Sequence, residues 1–306
     1  MSIQLSVFSM AGLSIVVPTK DEPTAPRLIK KLRALFPGSE IIIVDKSSRR
    51  NRAALERTGA KVIAQETNGY ENALMEGFRE AHGDTLATID ADGTYNAEDL
   101  KKVISELSKG GASLVAGSRA IRERGAMTGT IKFGNSFLTG LFNILYRRHM
   151  HDVLSGSFAM TRQAFDSIRH EEPYRAGTLF FEIELIRRGF GIADVPIKYG
   201  TRRGAPSRIT RAKPMYGITI AYHSIRYARD YNPLALFGSI GIAAIVAGLV
   251  IGALVLANYL ATGALSEVGR ALIAFMLVVM GFLSIIAGLI LDLLLEVERK
   301  LYRERK

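Results

Sequence analysis

The stretch that decides the fold is Thr85-Leu86-Ala87-Thr88-Ile89-Asp90-Ala91-Asp92-Gly93. A short buried-type run leads straight into two aspartates spaced two apart. In extended chain, residues two apart point to the same side, so both carboxylates face one way. A lone Asp-x-Asp is ordinarily a solvated turn. Here it sits inside a repeating frame. Short β-branched runs also occur at Leu13–Val17, Glu40–Val44, Lys61–Ala64 and Ser113–Ala116. Helical patterns separate them: Leu28, Leu32, Leu35 and Phe36 share one face, and Ala73, Gly77 and Ala81 form a small-residue stripe that permits close packing. Such alternation predicts an α/β fold with a mostly parallel sheet and flanking helices, whose ligands bind at the carboxyl ends of the strands.

The segments after the strands are polar. They are Pro18-Thr19-Lys20-Asp21-Glu22, Asp45-Lys46-Ser47-Ser48, Asp90-Ala91-Asp92-Gly93 and Gly117-Ser118-Arg119. Three carboxylate clusters on one sheet edge repel one another unless a cation or a donor-rich ligand joins them. Asp90 and Asp92 suit a hard divalent cation that keeps positions open for phosphate oxygens. Such a cation neutralises a leaving diphosphate. No Gly-x-Gly-x-x-Gly and no Gly-Lys-Ser/Thr loop is present, which disfavours dinucleotide binding and Walker-type ATP hydrolysis.

The C-terminal part is of a different kind. No charge occurs between Asp230 and Glu267, and Leu234–Leu256 is almost wholly apolar; a second charge-free run covers Ala271–Leu291. Both reach the roughly 20 residues a bilayer core requires, which predicts a two-helix transmembrane hairpin. Arg226 and Arg229 precede it, and Arg299, Lys300, Arg303, Arg305 and Lys306 follow it, whereas the connecting loop holds only Glu267 and Arg270. The positive-inside rule then puts the N-terminal domain and both termini in the cytoplasm of a multi-pass cell-membrane protein.

The formal net charge is +11. Residues 234–306 hold six Lys/Arg and five Asp/Glu, so the surplus lies almost entirely before the hairpin and calls for an anionic partner. Gly200–Asp230 carries seven Lys/Arg, one acidic residue and interleaved tyrosines, the composition of interfacial amphipathic helices lying on membrane lipid. The chain has no cysteine, which excludes disulfides, thiolate metal sites and cysteine nucleophiles. Nucleic acid is disfavoured because the basic residues concentrate at the membrane boundary and no recognition module is visible.

The order Pro18-Thr19-Lys20-Asp21-Glu22, Ile43-Val44-Asp45, Asn68-Gly69, Ala73, Gly77, Asp90-Ala91-Asp92, Gly117-Ser118-Arg119, Asp152 and Ser155-Gly156 resembles family 2 glycosyltransferases of the GT-A fold. Within them it looks like the dolichyl-phosphate mannose/glucose synthases and related polyprenyl-phosphate glycosyltransferases, some of which carry a membrane hairpin. The resemblance covers about residues 13–210. It implies a GT-A catalytic domain over 1–210, an interfacial segment over 211–232 and a membrane anchor over 233–306. It further implies inverting transfer of a hexose, glucose or mannose, from UDP- or GDP-sugar to polyprenyl or dolichyl phosphate with Mg²⁺ or Mn²⁺; a homo-oligomer is left open.

Residue by residue, the resemblance places Pro18, Thr19 and Glu22 in the nucleotide pocket, with Asp45 at the base edge. Asp90 and Asp92 lie at the diphosphate, with Asp92 the direct metal ligand. Arg119, Lys132, Arg202 and Arg203 face the acceptor phosphate. Glu184 lies near the sugar, with Glu182 competing for that role. Asp152 is either an acceptor-activating carboxylate or a structural cap beside Ser155 and Gly156. The chain departs from the pattern at Lys46, at Thr94 and at Arg203-Gly204-Ala205-Pro206-Ser207-Arg208. A processive polysaccharide synthase would carry a Gln-x-x-Arg-Trp motif, and this chain has no Trp. A non-enzymatic scaffold would be favoured by loss of the metal-site carboxylates, and both are present.

Overall fold

The computed structural model describes residues 12–168, 177–202, 222, 229, 232–264 and 268–304, with residues 296 and 298–304 described by backbone alone. The chain divides into two compact units. One is built from residues up to 143 together with 148–223; the other takes residues 144–147 and 224–306.

In the first unit, β1 (Leu13–Thr19), β2 (Glu40–Asp45), β3 (Lys61–Ala64), β4 (Thr85–Thr88), β5 (Leu114–Arg122), β6 (Phe158–Thr161) and β7 (Ile192–Tyr199) form one sheet in the order β3-β2-β1-β4-β6-β5-β7. β1, β2, β3 and β4 pair in parallel, β7 pairs with β5 in parallel, and β6 runs antiparallel to both β4 and β5. The sheet is therefore mostly parallel, as the strand-helix alternation predicts.

Alternate residues of each strand build two apolar layers. Leu13, Ile15 and Val17 of β1 and Ile41 and Ile43 of β2 pack with Ile29 and Leu32 of α1 (Ala25–Leu35) and with Leu100, Val103 and Leu107 of α4 (Leu100–Ser108). On the other face, Phe78 of α3 (Tyr70–Glu80) meets Phe158 of β6, Phe165 of α6 (Arg162–Ser167) and Phe181 of α7 (Leu179–Arg187) edge to face, with ring centroids 5.6–6.0 Å apart. The small-residue stripe of α3 works as read. A methyl group on Gly77 would lie 2.3 Å from Val16 Cγ1 and 2.8 Å from Val44 Cγ2, so α3 approaches β1 and β2 only because that position is glycine. Two further helices complete the first unit's chain path: α2 (Arg49–Glu56), and α5 (Gly129–Tyr146), whose last turn groups with the second unit.

β5 runs on through Gly117-Ser118-Arg119 to Arg122, where the sequence reading ends the strand at Ala116. The cause is β7: Gly117 and Ser118 pair with Val195 and Pro196, and the ladder resumes at Ile121 and Arg122 after a shift in register. Arg119 is thus presented from a strand, not from a loop.

The second unit holds two long apolar helices, α8 (Pro233–Thr262) and α9 (Val268–Glu304). Asn232 caps α8 by accepting from the Ala235 N–H at 3.1 Å, Pro233 opens it, and Gly263 closes it at φ 67°. At 30 residues α8 is about 45 Å long, enough to cross a bilayer. Only 17% of the apolar window of each helix is buried, which fits lipid contact and not a soluble core. The helices meet through glycine. A methyl group on Gly241 would lie 2.5 Å from the Gly281 carbonyl oxygen, and one on Gly248 would lie 2.7 Å from that of Ala274. Gly248 therefore lines the contact, while Gly252, four residues on, would bring a methyl group only to the Ala274 methyl at 3.9 Å. The Ser284 hydroxyl donates across to the Phe237 carbonyl at 2.7 Å.

Candidate active site

The carboxyl ends of β1, β2 and β4 bring the expected residues to one edge. The loops after β1 and β2 are stapled together. Asp21, held at φ 54°, donates its N–H to Ser47 Oγ at 2.6 Å, and its Oδ1 accepts from the Ser48 N–H at 2.8 Å and from Asn51 at 3.1 Å. Thr19 and Asp45 are register partners on neighbouring strands. Asp45 Oδ1 accepts from the Ser47 N–H at 3.1 Å. Asp45 Oδ2 and Thr19 Oγ1 are buried and find no hydrogen-bond partner among the described residues. Pro18, one residue earlier, pairs in register with Val44. An orphaned buried acceptor beside an orphaned hydroxyl is costly unless a ligand completes it.

Asp90 and Asp92 follow β4. The Tyr70 hydroxyl, at the start of α3, donates to Asp90 Oδ1 at 2.7 Å. Gly156 passes so close that a methyl group there would fall 2.0 Å from Asp90 Oδ2. Burial, then the neighbouring Asp92 charge, raise the Asp90 carboxyl to about 7. Asp92 Oδ1 accepts from both the N–H and the hydroxyl of Thr94, at 3.0 and 2.6 Å. Thr94 thus steers that carboxylate. Asp92 Oδ2 takes the Arg202 guanidinium at 2.8 Å, and the same guanidinium pairs with Glu22. Arg202, expected at the acceptor phosphate, bridges Asp92 to Glu22 of the β1 loop. All the donors around it are oxygens, the set that hard divalent cations prefer, and a cationic group already rests among them. Asp90 and Asp92 therefore fit a divalent cation. Among the described residues no third His, Asp or Glu joins them in a metal-binding cluster.

Arg119 faces the same edge from β5. Its Nε and Nη2 donate to the two oxygens of Asp152 at 2.6 and 2.8 Å, and its own N–H reaches Asp152 Oδ2 at 3.1 Å. Nη2 also donates to Asn135 of α5 at 3.0 Å, and the guanidinium lies 5.4 Å over the Tyr199 ring. Burial would raise the Asp152 carboxyl, but the hydrogen bonds and charge of Arg119 outweigh it and hold the group low. Asp152 is fully buried, with both oxygens engaged, so it has no free lone pair aimed at a substrate proton. Its contacts are those of a residue that orients Arg119, a role distinct from both acceptor activation and the cap beside Ser155 and Gly156.

Glu184 and Glu182 separate on α7. Glu184 pairs with Arg187 at 2.8 Å and Arg188 at 3.2 Å, and Arg188 in turn donates to the Ser167 carbonyl at the end of α6. Glu184, expected near the sugar, is thus engaged by the two arginines that follow it. Glu182 is buried, its Oε2 has no described hydrogen bond, and burial followed by the nearby Asp152 and Asp194 charges pushes its carboxyl well up. Lys132 is exposed on α5. Arg203 and the Arg203–Arg208 motif lie outside the described residues, as does the 211–232 segment apart from Tyr222, Arg229 and Asn232.

Several supporting residues escape sequence reading. Tyr70, Asn135 and Tyr95, whose hydroxyl accepts the Gly156 N–H at 2.7 Å, each act across 16 or more residues, and no local pattern announces them. Gly156 is the exception. It stands in the Asp152…Ser155-Gly156 motif, and the close approach of Asp90 explains the glycine.

A family model, Glycosyl transferase family 2, matches residues 14–169, half of the 306-residue chain. The chain belongs to that family. Among similar proteins, Glycosyltransferase AglJ of Haloferax volcanii is 27% identical over 293 residues, covering 94% of this chain and 95% of its own. A Dolichyl-phosphate hexose transferase of the same organism is 28% identical over 205 residues, covering 65% and 88%. The glucosyl-3-phosphoglycerate synthase of Mycobacterium tuberculosis, solved with Mn²⁺, uridine diphosphate and phosphoglyceric acid, shares the fold with a TM-score of 0.57 at 19% identity, covering 71% of this chain and 78% of that one. This glycosyltransferase therefore has its family's sheet, an acidic edge and two helices long and apolar enough to anchor it in a membrane.

Proposed function

We propose that this glycosyltransferase moves a hexose from a UDP- or GDP-sugar to a polyprenyl or dolichyl phosphate, with inversion and with Mg²⁺ or Mn²⁺. The observation that carries the reading is the meeting, on one sheet edge, of the Asp90/Asp92 pair with Arg119, in a chain that also holds two helices long and apolar enough to cross a membrane. The name of the Haloferax hexose transferase supports the acceptor class.

Thr19 and Asp45 hold the nucleotide base, with Pro18 and Glu22 lining the pocket. Asp90 and Asp92 hold the divalent cation, which when bound supplies charge neutralisation to the diphosphate. Arg119, oriented by Asp152 and Asn135, receives the acceptor phosphate, and Lys132, Arg202 and Arg203 add positive charge. A phosphate monoester is already largely dianionic at neutral pH, with a second pKa of about 6, so its oxygen attacks the anomeric carbon with little need of a base. The protein's task is to bring two anions together, and arginine forks fit that role. On this reading residues 1–210 are a cytoplasmic catalytic domain, 211–232 an interfacial segment and 233–306 the anchor, with both termini cytoplasmic.

Purified full-length protein is to be incubated with UDP- and GDP-hexoses, with and without dolichyl phosphate. Sugar release that requires the lipid and yields a glycosylated lipid is the expected result. Equal nucleotide-sugar turnover without lipid, or none with any donor, would overturn the reading.

A further inference from the structure

Helix α7 is buried from Leu179 to Ile186, yet it carries two glutamates in that stretch. Glu184 is matched by Arg187 and Arg188. Glu182 is not matched. It is 3% exposed, and its Oε2 finds no hydrogen-bond partner among the described residues. Two charges reach it there, those of Asp152 and Asp194, and both are negative. An ionised carboxyl in that setting has no water, donor or cation to stabilise it and two anions beside it. The uncharged acid is the form the setting accepts. Burial, followed by the two neighbouring charges, accordingly pushes the group well up.

Both neighbours are already engaged. Asp194 of β7, with a side chain 5% exposed, accepts from the His151 N–H at 2.7 Å and lies 3.1 Å from the His151 Nδ1. Asn143 of α5 holds the residue before it: the Met150 N–H donates to Asn143 Oδ1 at 2.9 Å, and the Met150 carbonyl accepts from Asn143 Nδ2 at 2.8 Å. Residues 150–151 are thus fixed from α5 and from β7. The next residue is Asp152, whose two oxygens grip Arg119. Loss of the Glu182 proton would add a third anion to this group. The buried cation within its range is Arg119, already shared with Asp152.

We infer that Glu182 is a positioning residue for Arg119: as the uncharged acid it leaves Asp152 unrivalled as the carboxylate that directs the guanidinium toward the acceptor phosphate. The inference rests on the proposed role of Arg119. It gives the buried acid of α7 a task in acceptor binding and none in holding the donor.

Full-length wild type, Glu182→Gln and Glu182→Met are to be compared. The amide keeps the shape and cannot ionise; the thioether removes the polar group altogether. The KM for dolichyl phosphate is to be measured with Mg²⁺ and whichever of UDP- and GDP-hexose supports transfer. The range runs from about pH 7, above the second phosphate pKa of about 6, to about pH 9.5. In wild type this KM should rise about 10-fold, the order expected of one added charge close to the phosphate site. In both variants it should stay level, and calorimetric affinity for the matching nucleoside diphosphate should follow one course in all three proteins. A second readout needs no turnover. The Arg119 Nε–H resonance in nitrogen–proton correlation spectra, identified by its loss in Arg119→Lys, should titrate in wild type and in neither variant. A level KM in wild type, or the same rise in all three proteins, would overturn the inference. So would a loss of nucleotide affinity in the variants as large as any change in lipid KM, the mark of a residue that is merely structural. If no lipid phosphate were a substrate, the resonance would decide alone. Titration in wild type only would uphold the coupling while the proposed function fell, and an unresponsive resonance would overturn the coupling as well.

Discussion

The carboxyl edge of the sheet has two unlike halves. On β1 and β2, Thr19 and Asp45 keep buried polar atoms without a hydrogen-bond partner among the described residues. On β5, Arg119 and Asp152 share three hydrogen bonds and Asn135 adds a fourth. An unsatisfied buried polar group costs about 1–3 kcal/mol, so a fold keeps one where a ligand will satisfy it. A saturated buried ion pair contributes to the fold before any ligand arrives. On the proposed function the first half is finished by its substrate, whereas the second is finished in advance. Mutations on the two halves should therefore separate binding from stability.

The largest effect is expected on the saturated half. Asp152→Ala leaves a buried guanidinium without its carboxylate and should cost about 3–5 kcal/mol of stability, read as a fall in denaturation midpoint. The pair also predicts a pH signature. Asp152 has a folded-state pKa below its unfolded value of about 3.9, so its stabilisation is complete above that value and is lost as pH falls through the folded pKa. The gap between wild type and Asp152→Ala should narrow in acid. A constant gap down to the acid limit would show that the carboxylate charge is not what matters.

Asp92→Asn comes next. It keeps the shape, and its Oδ1 can still accept from Thr94, but it removes a metal-site charge. Transfer should slow by at least about 10²-fold, with the denaturation midpoint little moved. Undiminished activity in excess EDTA would remove the cation from the account altogether. Asp45→Asn should weaken donor binding about 10- to 100-fold, the worth of one charge-assisted hydrogen bond, and should not destabilise the free protein, because the atom it alters has no described partner. A large stability loss there would mean that Asp45 is structural. The smallest effect is expected for Arg202→Ala. The guanidinium, partly exposed between Asp92 and Glu22, competes with a cation for the same oxygens. Its removal should tighten Mn²⁺ binding to the donor-free protein about 2- to 5-fold, measured by paramagnetic resonance, in keeping with about 0.5–1 kcal/mol for such a pair. Weaker Mn²⁺ binding would place Arg202 among the supports of the site.

How much of this was legible depended on range. β1, β2, β4 and the Asp90/Asp92 pair are announced by local runs, because burial on both faces requires continuous apolar sequence, and the edge strand β3 by its β-branched Val62-Ile63. β6 and β7 are not. Phe158–Thr161 is only four residues long, and β7 is interrupted by Asp194, Pro196 and Lys198, so neither stands out from its flanks. That omission also ended β5 too early, since Arg119 is in-strand only through its β7 partner. Candidate residues beside strand ends came to the expected edge. The partners of two others were set by contacts across the chain: Asp152 by Arg119, 33 residues away, and Arg202 by Asp92, 110 residues away. Glu182 and Glu184 could not be ranked from sequence because the choice rests on which way one turn of α7 faces. The pair of long apolar helices was the easiest to read, and only its helix-helix contact, Gly241 against Gly281, needed coordinates.

One crossed measurement tests the division of the edge most directly. Calorimetric affinity for the nucleoside diphosphate and KM for the lipid phosphate are to be determined for wild type, Asp45→Asn and Arg119→Lys, the last keeping the charge but not the fork. The account predicts that Asp45→Asn loses nucleotide affinity about 10-fold or more with lipid KM unchanged, and that Arg119→Lys raises lipid KM about 10-fold or more with nucleotide affinity unchanged. If each substitution impaired both substrates equally, or if the two effects were exchanged, the assignment of the β1–β2 half to the donor and the β5 half to the acceptor would be contradicted.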